Sequence, residues 1–157
     1  MLEHVDDVQG LLQEAARVVR VGGVAVHLMP TSSWRFWTSV NHYLWLLKAP
    51  FQIGGKKAAG VVGATARRGW GVMLSKLMFA QRHGEHGSAL SELWHFSRRV
   101  WRRRLSRDGW ELNLDVPVGI SYTGYFVTWP LLGLRTRSRA SRVFGSGCSI
   151  YILKRTR

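Results

Sequence analysis

The clearest pattern in the chain is an amphipathic stretch near its start. Asp6 or Asp7 supplies a helix cap, after which Val8, Leu11, Leu12, Ala15, Ala16, Val18 and Val19 are predicted to share one face, with Gln9, Gln13, Arg17 and Arg20 opposite. Gly22 and Gly23 supply a left-handed stop, Val24 to Met29 reads as a strand, and Pro30 bars its continuation as a central one. Helix, Gly-Gly, strand and Pro in that order form an α/β pattern. From Trp34 to Leu47 the positions are apolar almost all round, which predicts a helix capped by Ser32 or Ser33 and ended before Pro50.

Residues 54–69 mix Gly, Ala and basic side chains without a period and read as a loop, whereas Trp70 to Gln81 is a helix candidate. His83 to Gly87 reads as a turn. Ser97 can cap a helix to about Asp108 with Trp101 and Leu105 inward, Trp94 extending it if the start is earlier, and Gly109 ending it. Trp110 to Val116 alternates, placing Trp110, Leu112, Leu114 and Val116 on one predicted face, and Cys148 to Leu153 is a second β-prone run. Between them lie an aromatic, Gly-containing loop and a basic stretch with Arg135, Arg137, Arg139 and Arg142 that fits a short helix.

Composition narrows the partners. The 157 residues are 46% apolar and 20% charged, within the range of globular chains. Lys and Arg number 23 against 9 Asp and Glu, and the net charge of +14 favours anionic partners such as nucleic acid, phospholipid or phosphorylated substrates. The single cysteine, Cys148, excludes an intrachain disulfide and a cysteine-based metal cage and fits a reducing compartment, so a cytoplasmic location is expected. No apolar run reaches the roughly 20 residues of a spanning helix, and the acidic opening lacks a signal-peptide pattern.

The opening Leu2-Glu3-His4-Val5-Asp6-Asp7, the helix after it, and Ala16-Arg17-Val18-Val19-Arg20-Val21-Gly22-Gly23 before a strand together resemble the second half of a class I S-adenosylmethionine-dependent methyltransferase, of the type 11 kind. In that family a segment like LEHV follows the fourth strand and RVLRPGG precedes the fifth; Val21 stands where the family usually has Pro. The resemblance continues through a Ser-capped helix ending in Gly109-Trp110, a sixth strand, and a last strand inserted antiparallel between strands five and six. It covers residues 1–30 and 97–157, with 31–96 reading as a helical, aromatic-rich insertion. The implied fold is α/β, a partial Rossmann-like sheet of strands five to seven.

The resemblance also implies S-adenosylmethionine as cofactor in the full-length protein and a small-molecule or lipid-like methyl acceptor. The family's glycine-rich turn and ribose-binding acid belong to strands that would precede Met1, and Gly60-Val61-Val62-Gly63 and Gly54-Gly55-Lys56-Lys57 are no substitute. The chain therefore reads as a truncated enzyme, inactive by itself and prone to self-association. Leu2, Glu3 and His4 would meet the cofactor at the carboxyl edge of the sheet, where open α/β sheets bind ligands. Pro30, Thr31 and Ser32 leave strand five at the same edge and, with Trp34 and Tyr122, are candidate acceptor-pocket residues. No residue is assigned as catalytic with conviction; His4 is the weak candidate for a base, because in-line displacement at an activated sulfonium carbon needs mainly alignment.

Plainer readings stand beside these. Ser32 and Ser33 equally suit simple helix caps, the aromatic helix suits buried core more than a lid or a membrane interface, and Tyr122, Tyr125 and Trp129 suit a packed loop. Six arginines between Arg98 and Arg107 suit a solvated face, with Arg99, Arg103 and Arg107 opposite Trp101; anionic lipid is the next reading, and no motif supports nucleic acid. His83 and His86 have a spacing compatible with a metal, but adjacent glycines and the lack of a third convergent ligand argue against one, so no metal is expected. His27 reads as a packed histidine. The rival function is a non-catalytic, basic peripheral module that holds an anionic membrane surface.

Overall fold

The computed structural model describes residues 2–52, 80, 83–84, 87–122 and 132–157. The loop expected over 54–69, the helix expected over Trp70 to Gln81, His86, Tyr125 and Trp129 lie outside those residues. A single 3₁₀ turn, Leu2–His4, precedes helix α1 (Val8–Val18), strand β1 (Val24–Pro30) and the long helix α2 (Ser32–Gln52). Helices α3 (Ala89–His95) and α4 (Arg98–Leu105) lead to β2 (Trp110–Pro117), and α5 (Leu134–Phe144) leads to β3 (Cys148–Arg155). The fold is mixed α/β, with five helices and an open three-stranded sheet among the described residues.

The sheet order is β1-β3-β2, with the last strand antiparallel to both neighbours, as expected from the long connection before it. Strands β1 and β2 consequently run parallel to each other without touching. Across β1 and β3 the register is regular, from Val24 opposite Lys154 to Pro30 opposite Cys148. On β2 it slips between Leu112 and Leu114, leaving Asn113 as a bulge. The single face expected for Trp110, Leu112, Leu114 and Val116 is therefore wrong. Because side chains alternate with a period of two, one extra residue reverses everything after it. Trp110 and Leu112 point to the core, whereas Leu114 and Val116 turn outward and Asp115 turns inward opposite Tyr151.

The buried core lies on that inward face. Leu12 and Ala16 of α1, Trp101 and Leu105 of α4, and Met29, Tyr151 and Leu153 of the sheet form one buried cluster with Leu2, Phe96 and Trp110. Two indoles fix its ends by donating to backbone carbonyls, Trp101 Nε1 to Pro30 at 3.2 Å and Trp110 Nε1 to Leu12 at 3.0 Å. Helix α4 is also held by charge: Asp115, its side chain 2% exposed, accepts from Arg98 Nε at 3.1 Å and Arg102 Nε at 2.6 Å. The outward face is apolar and uncovered among the described residues, with Val24, Val26 and Leu28 of β1 and Leu114 of β2 all exposed.

Several boundaries differ from expectation. Helix α1 buries the stripe of Leu12 and Ala16 with Val8, Ala15 and Val19 against it, and leaves Leu11 and Val18 exposed. A helix turn advances 3.6 residues, so a seven-residue apolar set is wider than one seam can cover. Gln9, assigned to the polar face, donates to the Arg104 carbonyl at 3.1 Å. Gly22, with φ of 80°, forms the turn into β1 but does not stop the helix, whose last turn closes on Val19. Helix α2 runs past Pro50, which forfeits only one backbone donor near the helix end. The helix expected over Ser97 to Asp108 ends at Leu105, and Trp94 belongs to the separate, Ser88-capped α3, where it is exposed.

A polar row crosses the inward face. His27, Tyr151 and Asp115 stand opposite one another on three strands. Burial, with the Asp115 charge beside it, pushes the Tyr151 hydroxyl up to about 12. Burial pushes His27 below its ordinary 6.5, and its Nε2 has no hydrogen-bond partner among the described residues. The unfolded chain thus accepts a proton that folded His27 resists, so its contribution is complete above pH 6.5 and is lost as pH falls through the lower folded value. Urea unfolding of the chain between about pH 7 and pH 5 should show a falling midpoint, and His27→Leu should make it fall less steeply. Equal slopes in the two proteins would show that His27 is not the titrating group.

Candidate functional site

The carboxyl end of β1 passes directly into α2, and the hydroxyls at this junction are occupied. Thr31 caps α2, accepting from the Trp34 N–H at 3.2 Å and donating to the Ser146 carbonyl at 2.5 Å. Ser32 donates to the Leu93 carbonyl and Ser33 to the Phe144 carbonyl, each at 2.5 Å. Neither serine is the cap; they tie α2 to α3 and α5. Gly145 is needed for this closeness, since its φ is 79° and a β-carbon there would lie 2.7 Å from Ser33 Oγ. Thr31 and Ser32, proposed from sequence as acceptor-pocket residues, thus spend their donors on the fold.

Trp34, one residue on, is the centre of an aromatic group. Its ring lies 4.6 Å from His83, 5.9 Å from Tyr122 and 6.0 Å from Phe96 between centroids. His83 in turn lies 4.7 Å from His4. His4 and Glu3 sit on the 3₁₀ turn, which Leu2 anchors in the core and which packs against β1. Pro30, Trp34, Leu2, Glu3 and His83 line one cavity of about 530 Å³, whose apolar wall includes Val26 and Leu28 and which also reaches Cys148. Of the expected site residues, Leu2, Glu3, Pro30 and Trp34 thus line one cavity, His4 and Tyr122 join it only through ring contacts with His83 and Trp34, and Thr31 and Ser32 line a different cavity.

His83 is held by a buried ion pair. Arg35 of α2 and Glu92 of α3 are each 1% exposed and lie 3.0 Å apart. The Glu92 Oε1 accepts from the backbone N–H groups of His83 and Gly84, both at 2.6 Å. Glu92 is thus a bracket between α2, α3 and the segment carrying His83. Sequence reasoning did not connect these residues, although Arg35 is the sole permanently charged side chain between Ser32 and Leu47, which is a signal for a buried partner.

The electrostatics favour neutral imidazole beside an ionised carboxylate. Burial lowers the His83 pKa, and the nearby His4 lowers it further. Burial alone would raise Glu3, but hydrogen bonding, including to its own backbone, and His4 hold it below the ordinary carboxylate range. Burial and the Glu3 charge push the Cys148 thiol up, so it stays protonated at neutral pH. These groups provide a base and coordinating atoms at one end of an apolar slot, and no activated nucleophile. The arginines are divided. Arg98 and Arg102 bind Asp115, Arg104 lies over the Trp101 ring, and Arg99, Arg103 and Arg107 are exposed.

No family model matches this sequence, and no curated protein or solved structure matches it. The bracket can be tested directly. Glu92→Ala leaves a buried guanidinium without its carboxylate and should cost about 3–5 kcal/mol in urea unfolding. The double replacement Arg35→Met with Glu92→Leu should recover most of that loss, because two apolar side chains carry no desolvation penalty. A Glu92→Ala protein as stable as the parent would remove the bracket from the account.

Proposed function

We propose that this chain is the carboxyl-terminal half of a class I S-adenosylmethionine-dependent methyltransferase acting on a small-molecule or lipid-like acceptor. The observation that carries the reading is the sheet order. A last strand inserted antiparallel between two mutually parallel strands is the arrangement of strands five, seven and six in the resembling family, and it follows the LEHV and RVVRVGG segments in the right places. Among the described residues β1 has one unpaired edge and the outward face is uncovered, which suits a sheet that further strands would extend. In this reading Leu2, Glu3 and His4 approach the methionine end of the cofactor, and Trp34 and Tyr122 face the acceptor. Held there, the cofactor would supply an activated methyl group for in-line displacement, the acceptor's lone pair bonding to the methyl carbon as the carbon–sulfur bond breaks and S-adenosylhomocysteine is released. The cavity's apolar wall would align the acceptor, and His4, whose ring packs against the cavity-lining His83, is the candidate base.

The rival, a peripheral module on anionic membrane, draws on exposed Phe36, Tyr43 and Leu44 of α2 together with the net charge of +14. No helix among the described residues is long and apolar enough to cross a membrane. Two measurements separate the readings. Isothermal titration of S-adenosylmethionine into the 157-residue chain should show no binding, and sedimentation should show self-association through the bare edge and face. A protein extended with the upstream-encoded segment should become monomeric and bind the cofactor. Failure of the extended protein to bind, together with salt-sensitive flotation on anionic vesicles, would replace this reading with the rival.

A further inference from the structure

We propose that Glu3, His4 and His83 form a binding site for one divalent transition-metal ion, zinc foremost, at the mouth of the cavity beside β1. One coordinating atom from each of these three residues lies within 4.8 Å of the others, and His4 Nε2 is 3.8 Å from Glu3 Oε1. Ligand bonds of roughly 2.0–2.2 Å at a tetrahedral angle put two donors about 3.4 Å apart, so small side-chain rotations close the set on an ion. The donors decide the metal. Two imidazoles and a carboxylate suit zinc and its neighbours, whereas calcium and magnesium want oxygen alone and copper(I) wants sulfur. Three protein ligands leave a fourth position for water or an exogenous ligand, and two of the three, Glu3 and His83, also line the cavity.

The ligands come from distant points of the chain but are fixed independently. Leu2 in the core anchors the turn bearing Glu3 and His4, while the Glu92 bracket holds the backbone of His83. Trp34 packs edge-on against His83 and limits its swing. A chain of net charge +14 repels a divalent cation in general, so binding here would come from coordination and not from diffuse attraction. Glu3 and His4 are shared with the proposed cofactor edge, so a bound ion and His4 acting as a base exclude each other; the metal site rests on coordination geometry alone and would stand if the methyl-transfer reading failed.

Zinc chloride titrated calorimetrically into the whole chain at neutral pH and about 0.5 M salt, where the chain's diffuse repulsion of cations is screened, should bind at one ion per chain. His4→Gln, His83→Gln and Glu3→Gln should each weaken binding at least about tenfold, and His42→Gln, outside the cluster, should not. Cobalt(II) added to the unsubstituted chain should give the intense visible absorption of a four-coordinate ion, a readout that needs no variant. Absence of zinc binding, binding indifferent to all three substitutions, or a cobalt spectrum of the weak, six-coordinate kind would each overturn the proposal.

Discussion

The arrangement of the site depends on two charges that have been taken out of water. Arg35 and Glu92 come from helices separated in sequence by a long stretch of chain, and each loses nearly all its hydration when α2 meets α3. Such a pair gains little net stability, since attraction in a low-dielectric interior roughly balances desolvation. Its value lies in direction. A carboxylate that must meet a guanidinium on one side and two backbone N–H groups on the other tolerates few alternative positions, and those N–H groups belong to His83 and Gly84. An apolar pair of equal volume would hold the helices but leave His83 without its anchor.

The second organising constraint is one residue of register. Without the bulge at Asn113, Asp115 would point outward and Arg98 and Arg102 would face an apolar strand surface. The bulge brings a carboxylate under α4 and sends Leu114 and Val116 to the uncovered side. The same slip therefore fastens the arginine-rich helix to the sheet and adds apolar surface to the face that no described element covers. Charge on one side and bare hydrocarbon on the other follow from a single inserted residue.

How far the sequence was legible follows the range of the interactions involved. Strand positions and the start of α1 rest on local periodicity and turn residues, and they were readable; so was the strand order, through the family resemblance. The caps were half readable: Ser32 and Ser33 marked a helix start, but the cap is Thr31, one residue earlier, because both serines are drawn off to the Leu93 and Phe144 carbonyls. Helix α3 was hidden because it is only seven residues long and its apolar set of Leu90, Leu93 and Trp94 joins directly onto the next helix, of which Trp94 reads as an extension. The convergence of His83 with His4 was out of reach, since a search for ligands close in sequence to His83 cannot see a turn at the far end of the chain.

The position of β3 has a consequence for how the chain is made. It is the middle strand of the described sheet and the last in sequence, so among the described strands β1 and β2 have no ladder partner until Cys148–Arg155 has left the ribosome. Every strand pairing is long-range, and closing such contacts is slow relative to helix formation. During translation the nascent chain therefore carries two unpaired, valine- and leucine-rich strands in the open, where holdase chaperones bind and where stalled or prematurely ended products would be cleared by proteolysis.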